Sequence, residues 1–342
     1  MKIATAEDRD QVRPSSRLAR PGHNCGRLAR ADRFGVVVDG ADYFRALKHA
    51  LLGAQRSILI LGWEFDSRTA LVRGEPTSCP NEIGALLDRL VRDRPDLRVH
   101  VLIWDSAMIY AFNREFAGLV KMDWLTHRRL RFKLDDSHPI ASSQHQKIVV
   151  VDDALAFVGG LDVTSQRWDS RGHVPLDPHR RDPAFADYPP FHDVMAVVTG
   201  PVAGALAGIV RERWRRACGE VLTPPHVGNG RDLWPPWLPV PMRRVQVAIS
   251  CTSPVWDGAA AVREVERLYL DMIAAARRFI YIENQYFASR RIAEALAERL
   301  MYPDCPEIVL INPGEPVSLV ERSTMGVARS RLARDLALAD GG

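Results

Sequence analysis

The segment that most constrains this chain is Ile148-Val-Val-Val151. Four consecutive apolar residues, three of them β-branched Val, read as a buried strand. Asp152-Asp153 follow as a turn, and Leu155-Ala-Phe-Val-Gly-Gly160 returns as a second apolar strand, so the stretch is a hairpin. Just before it stand His145 and Lys147, two residues apart. Strand side chains alternate faces, so these two project the same way. That sets a nucleophile or proton carrier beside a fixed cation, as phosphoryl chemistry requires. Gly159 and Gly160 end the hairpin where backbone N–H groups can approach an anion closely.

Length and composition bound the rest. The 342 residues allow about two domains, and 46% hydrophobic residues suit a proper core. A net charge of +4 suits an anionic substrate or a membrane surface without demanding either. No basic run resembles a nucleic-acid tail. Cys25, Cys79, Cys218, Cys251 and Cys305 are odd in number and lack metal-ligand spacing, which makes a reduced, cytoplasmic setting the default. The polar N-terminus lacks the apolar core of a signal peptide, and no apolar run reaches bilayer-spanning length. Membrane contact is therefore expected to be peripheral.

Strand and helix patterns alternate along the chain. Helices are expected near Ala41–Ala54, Asn81–Arg94, Ala107–Lys121 and Val202–Cys218, with strands at Ser57–Leu61, Val99–Trp104, Arg129–Leu134 and Asp193–Val198. This alternation argues for a layered α/β fold. Residues 167–190 form a polar loop able to gate a site. Six prolines between 222 and 243, with Trp234 and Trp237 among them, exclude a helix and read as a stiff linker whose tryptophans pack at a domain seam.

After that linker the pattern restarts. Gln246–Ser250 reads as a strand, Ala259–Ala276 as a helix and Phe279–Ile282 as a strand. Arg278-Phe-Ile-Tyr-Ile parallels Arg56-Ser-Ile-Leu-Ile, each followed by a helix, a Pro-Asp pair (Pro95-Asp96, Pro303-Asp304) and a strand. A repeat of this size is a duplicated domain. His145 lies 50 residues past Pro95, and the same distance from Pro303 falls beyond Gly342. The expectation is a fragment of a two-motif protein; a degenerate second half is the other reading. The expected organisation is a basic, partly disordered segment at 1–33, a first half at 34–220, a Pro/Trp-rich linker at 221–244 and a partial second half at 245–342.

The segment His145-Gln-Lys147 with Asp152 and Gly159-Gly160 resembles the HxKxxxxD signature of the phospholipase D superfamily. Gly62-Trp-Glu-Phe-Asp-Ser67, Trp104-Asp105, Tyr188-Pro-Pro-Phe-His-Asp193 and Ile282-Glu-Asn-Gln-Tyr-Phe287 extend the resemblance from about Gly22 to about Arg334. It implies a layered α/β/α fold with a mixed sheet, duplicated, here with the second copy incomplete. It also implies metal-free chemistry with no cofactor. One histidine attacks phosphorus, and a second protonates the departing alcohol and then activates water or another alcohol. By resemblance His145 is the nucleophile and Lys147 binds phosphate. Asp152 belongs to the motif and sits at its turn, more as local support than as a chemical group. Asp193 is the expected orienting partner of the His145 ring. Gly159 and Gly160 shape the phosphate cradle, and Glu283 and Asn284 either line the cleft or cap their strand. Asp162 stands where many relatives have Asn, and neither it nor His192 is given a role.

The implied activity is phospholipase D-type hydrolysis of phospholipids, or phosphatidyl transfer to an alcohol as in cardiolipin synthesis, with weak or no turnover by the isolated chain. Two other readings remain. One is a nuclease of the same superfamily, disfavoured by the modest charge and the lack of interleaved aromatic and basic residues. The other is a catalytically dead lipid-binding or scaffold protein. Expected partners are a phospholipid at a membrane surface and a water or alcohol acceptor; a homodimer pairing two motifs is a further possibility.

Overall fold

The computed structural model describes residues 18–105, 127–139, 142–226, 231–314 and 327–339. The chain divides into two compact units. The larger comprises Ala29–Val247; the smaller joins residues up to Leu28 with those from Ala248 onward.

The larger unit is built on a mixed sheet of strands β1 (Arg27–Val38), β2 (Ser57–Gly62), β3 (Arg98–Trp104), β4 (Leu130–Asp135), β5 (Ile148–Val151), β6 (Leu155–Gly159), β7 (Val194–Thr199) and β8 (Met242–Ile249). Their order across the sheet is β4-β3-β2-β5-β6-β7-β1-β8. β2, β3 and β4 run parallel to one another, whereas β5 is antiparallel to both β2 and β6. The expected hairpin therefore lies mid-sheet. Asp152 and Asp153 both have positive φ, 51° and 52°, as a type I′ turn demands.

All six residues of β2 are buried, because helices cover both faces of the sheet. On one face Ile58, Ile60, Val99, Val101, Val149, Val151 and Phe157 join a core with the apolar stripes of α1 (Asp39–Gly53) and α2 (Ile83–Asp93). The alternate positions face the other way, where His100 meets Trp214 of α3 (Pro201–Cys218). α3 opens on Pro201 and closes on Gly219 in the left-handed conformation (φ 68°), the residues that each helix end favours. The result is the layered α/β/α arrangement with a mixed sheet expected from the sequence. Trp234 packs into the core of this same unit and donates to the Leu238 carbonyl at 2.9 Å.

The smaller unit holds the short pair β9 (Thr252–Ser253) and β10 (Val262–Arg263), then α4 (Glu264–Ala275), β11 (Phe279–Glu283), α5 (Arg290–Leu300), β12 (Glu307–Ile311) and α6 (Val327–Ala339). β11 and β12 are parallel across α5, as β2 and β3 are across α2. The duplication extends to an arginine device. Arg94, just past α2, donates to the carbonyls of Leu52 and Ala54 at the end of α1; Arg299, ending α5, donates to that of Ala276 at the end of α4. In each copy a guanidinium satisfies carbonyls left open by a helix terminus.

Several boundaries differ from expectation. Strand β1 begins at Arg27, inside the segment read as a polar lead-in, and Asn24 and Cys25 are fully buried. Arg20 and Asn24 bind the Asp271 carboxylate of α4, which explains that order. β8 starts at Met242 rather than Gln246 because β1 offers it a partner along the sheet edge. α4 starts at Glu264 rather than Ala259, since Asp257 and Gly258 both take positive φ in a turn before it. The helix expected at Ala107–Lys121 and the segment expected to be disordered at the N-terminus up to residue 17 lie outside the described residues.

Candidate active site

The site forms where β5 begins. Lys147 immediately precedes that strand and follows the same alternation as Val149 and Val151, so its side chain turns toward the α1 face. It is buried, and a buried ammonium needs a counter-charge. Asp162 supplies it: Lys147 Nζ lies 3.1 Å from Asp162 Oδ2, with side chains 5% and 0% exposed. Asp162 is anchored in turn by the Trp63 backbone N–H, which donates to Oδ1 at 2.9 Å. Burial pushes the Asp162 carboxyl above the usual range, while Lys147 and the Trp63 amide oppose that shift.

His145 stands beside Lys147, with Nε2 3.4 Å from Nζ. A lysine ammonium only donates, so Nε2 presents its lone pair to the ammonium. The Trp63 ring packs on the other side, 4.7 Å from the imidazole between centroids and 5.4 Å from Lys147 Nζ. Although the imidazole edge is open to solvent, its surroundings disfavour the charged form. Desolvation, then Lys147, then Arg167, push the His145 pKa down to about 4. At neutral pH the ring is therefore an uncharged imidazole adjoining a fixed cation.

Arg167 adds positive charge to the same neighbourhood. It pairs with Glu64 at 3.3 Å and lies over the Phe191 ring at 4.8 Å. Asp193 feels both Lys147 and Arg167, but desolvation outweighs them and raises its carboxyl. Its Oδ1 accepts from the Val194 N–H at 2.7 Å.

His145 and Lys147 are thus brought together as expected, with their side chains on one side. Asp193 makes no hydrogen bond to His145; its carboxylate lies against Gly160 instead. The two glycines also work differently from a cradle of free N–H groups. Gly159 N–H donates to the Lys147 carbonyl at 3.3 Å and Gly160 N–H to the Val194 carbonyl at 3.1 Å. Glycine is required there because a Cβ at Gly159 would strike the Val194 carbonyl, and one at Gly160 the Asp193 carboxylate.

Asp152 stands apart from His145 and Lys147. It lies at the far end of β5 from Lys147, where its carboxylate accepts the N–H groups of Gln55, Arg56 and Ser57, each at 2.7 Å. It pins the start of β2 to the hairpin turn. Glu283 and Asn284 belong to the smaller unit. Asn284 Oδ1 accepts the Tyr286 N–H at 2.7 Å, which is a turn cap, and Tyr281 Oη donates to Glu283 at 3.1 Å.

Three contributors were not assigned from the sequence: Asp162, Trp63 and Arg167. A signal existed for the first two. Asp162 closes the Gly-Gly-Leu-Asp run, and Trp63 belongs to the Gly62–Ser67 segment, but neither spacing reveals that they meet from the two strands that flank β5.

Comparison with known proteins now bears on the whole arrangement. The family model described as phospholipase D matches residues 50–227, which contain His145, Lys147, Asp162 and Asp193. The chain belongs to the phospholipase D family. Phospholipase D A of Dictyostelium discoideum is 26% identical over 295 residues, covering 78% of this chain and 22% of that protein. Phospholipase D alpha 1 of Ricinus communis is 27% identical over 315 residues, covering 70% and 38%. The chain therefore spans well under half the length of these curated relatives. Among solved structures, phosphatidylserine synthase of Haemophilus influenzae Rd KW20 shares the fold, with a TM-score of 0.53 and 13% identity over 90% of this chain and 70% of that one.

Proposed function

We propose that the chain carries out phospholipase D-type chemistry on phospholipids, hydrolysing the head-group ester or transferring the phosphatidyl group to an alcohol. His145 Nε2 attacks phosphorus, the bond from phosphorus to the head-group oxygen breaks, and a phosphohistidine forms. Water or an alcohol then attacks that intermediate and returns His145 to its free state. Lys147 holds a non-bridging phosphate oxygen and stabilises the charge that builds there in the transition state. Asp162 keeps the ammonium in place from beneath.

One observation carries this reading: His145 Nε2 lies 3.4 Å from the Lys147 ammonium, itself fixed by a buried carboxylate. The names of the curated relatives support a phospholipid substrate. The leaving alkoxide also needs a proton, and this sequence holds a single H-x-K. A second motif, from a second copy or another chain, would supply it, so slow turnover is expected of the isolated chain. We place the protein in the cytoplasm and at the membrane surface; no described helix is long and apolar enough to cross a bilayer.

The test is choline release from phosphatidylcholine vesicles, with and without added ethanol, at rising protein concentration. Release and phosphatidylethanol formation that increase faster than linearly with protein, and vanish in His145→Ala, support the reading. Cleavage of an oligonucleotide with no action on vesicles contradicts it.

A further inference from the structure

The loop between Arg167 and Asp193 starts and finishes at the active site, and its ends are tied together. Tyr188 Oη donates to the Trp168 carbonyl at 2.8 Å, and the Phe191 N–H donates to Asp169 at 2.9 Å. Inside the loop the buried Arg180 donates to Asp169 at 3.1 Å, to the Pro175 carbonyl at 2.7 Å and to the Tyr188 carbonyl at 3.1 Å. Arg73 reaches in from outside and donates to the carbonyls of His179 and, at 2.7 Å, Arg181. A loop pinned this way holds its outer turns in fixed positions. Two of those turns carry large apolar side chains in the open: Leu176 is 91% exposed and Phe185 82%. Phe185 also takes a positive φ of 64°, a conformation that costs a bulky residue, and gains no burial in return. Apolar groups kept exposed on a fixed loop mark a surface that a second medium covers.

The Phe185 turn says which medium. The Asp182 N–H donates to the Ala186 carbonyl and the Phe185 N–H to the Asp182 carbonyl, both at 2.9 Å. The N–H groups of Ala184 and Ala186 both donate to the Asp182 carboxylate, again at 2.9 Å. Pro183 has no N–H. Every backbone N–H from Asp182 to Ala186 is therefore bound within the turn. A protein partner could supply acceptors to open N–H groups, whereas hydrocarbon offers none, so only insertion into lipid demands this closure. Charge agrees. Between residues 170 and 188, Arg171, Arg180 and Arg181 stand against Asp177, Asp182 and Asp187, and Arg181 pairs with Asp187 at 3.1 Å. A balanced loop has no electrostatic reason to prefer an anionic surface to a zwitterionic one.

We propose that Leu176 and Phe185 are the membrane-docking tips of this loop and insert at the boundary between the head groups and acyl chains of a phospholipid bilayer. The proposal rests on the reading of a phospholipid substrate and names the surface that brings the site to it. Because the loop is rooted at Arg167 and Asp193, docking through its tips presents the His145 site to the head-group layer. Attachment comes from the two apolar side chains rather than from charge, so it holds on phosphatidylcholine alone.

The test is flotation of the full chain with phosphatidylcholine vesicles, which needs no turnover. Wild type and His145→Ala should float alike, at low and at high salt. Leu176→Ser and Phe185→Asn should each weaken binding about 10-fold or more, the loss of one apolar side chain's transfer from water. Asn accepts the left-handed backbone at 185 and Leu176 is open, so both variants should keep the wild-type melting temperature. The double variant should still release p-nitrophenolate from a short-chain, monomeric phosphatidyl p-nitrophenyl diester, and should lose release from the same diester embedded in vesicles. Equal flotation of wild type and double variant, or flotation of neither, overturns the proposal and leaves the two turns as a surface for a protein partner. Flotation that requires anionic lipid and disappears in high salt overturns it as well. Flotation lost in the double variant, with no p-nitrophenolate released by any form, upholds the docking surface and strikes the phosphoryl-transfer reading instead.

Discussion

Lys147 Nζ and Asp162 Oδ2 form a buried ion pair 3.1 Å apart, the side chains 5% and 0% exposed. The pair is the foundation of the site, because the cation facing His145 is held from beneath by a group that never reaches solvent. Removing one partner leaves the other charge buried alone. We expect Lys147→Met to lower stability by about 3–5 kcal/mol in urea denaturation. Lys147→Met combined with Asp162→Asn should recover most of that loss and none of the activity. Full stability in Lys147→Met alone would show that Asp162 does not depend on the ammonium.

The depressed basicity of His145 gives a second expectation. By NMR its ring should titrate near pH 4. Lys147→Met and Arg167→Gln each remove a neighbouring cation and should move the midpoint upward. A midpoint near 6.5 in the wild type would contradict the neutral-nucleophile reading, as would no change in either variant.

His100 provides the corresponding stability effect. It is buried against Trp214, its Nδ1 has no hydrogen-bond partner among the described residues, and desolvation, followed by Arg131, pushes its pKa down to about 4. A histidine depressed below its unfolded value takes up its proton more readily when unfolded. Its contribution is therefore fully present above about pH 6.5 and is lost as pH falls toward 4. His100→Phe should flatten the acid side of the stability curve between those limits, by up to about 3 kcal/mol. An unchanged acid limb would remove His100 from the account.

Asp152 separates architecture from chemistry. Asp152→Ala deletes the acceptor of three backbone N–H groups at the start of β2, and we expect a stability loss of about 2–4 kcal/mol. Turnover per folded molecule should stay within about twofold of wild type, because a lost catalytic group typically costs about 10²–10⁴-fold. A collapse of turnover at unchanged stability would restore Asp152 to the reacting set.

Much of this was legible from residue pattern. The hairpin at 148–159 follows from apolar runs and an Asp-Asp turn, and the same-side placement of His145 and Lys147 from strand alternation. The helix-strand repeat after Gln246 was visible as well, and it recurs as a second parallel βαβ unit. Contacts between sequence-distant residues were not visible. Nothing local says that Asp162 reaches Lys147, because that meeting depends on which strands become neighbours in the sheet. Gly159-Gly160 was readable as a place of close approach, yet the approaching groups are the Val194 carbonyl and the Asp193 carboxylate rather than an anion. Backbone N–H groups count as ligand donors only once their own ladder bonds are known.

The central claim is that His145 becomes covalently phosphorylated. Its most direct test uses a phosphatidyl p-nitrophenyl diester, whose leaving group departs as a stable anion and so needs no general acid. Rapid mixing with the purified chain should give a burst of p-nitrophenolate approaching one equivalent, with acid-labile phosphatidyl found on the peptide containing His145. His145→Ala should show neither. A burst that survives in His145→Ala, or turnover with no modified histidine at any time point, would contradict the account.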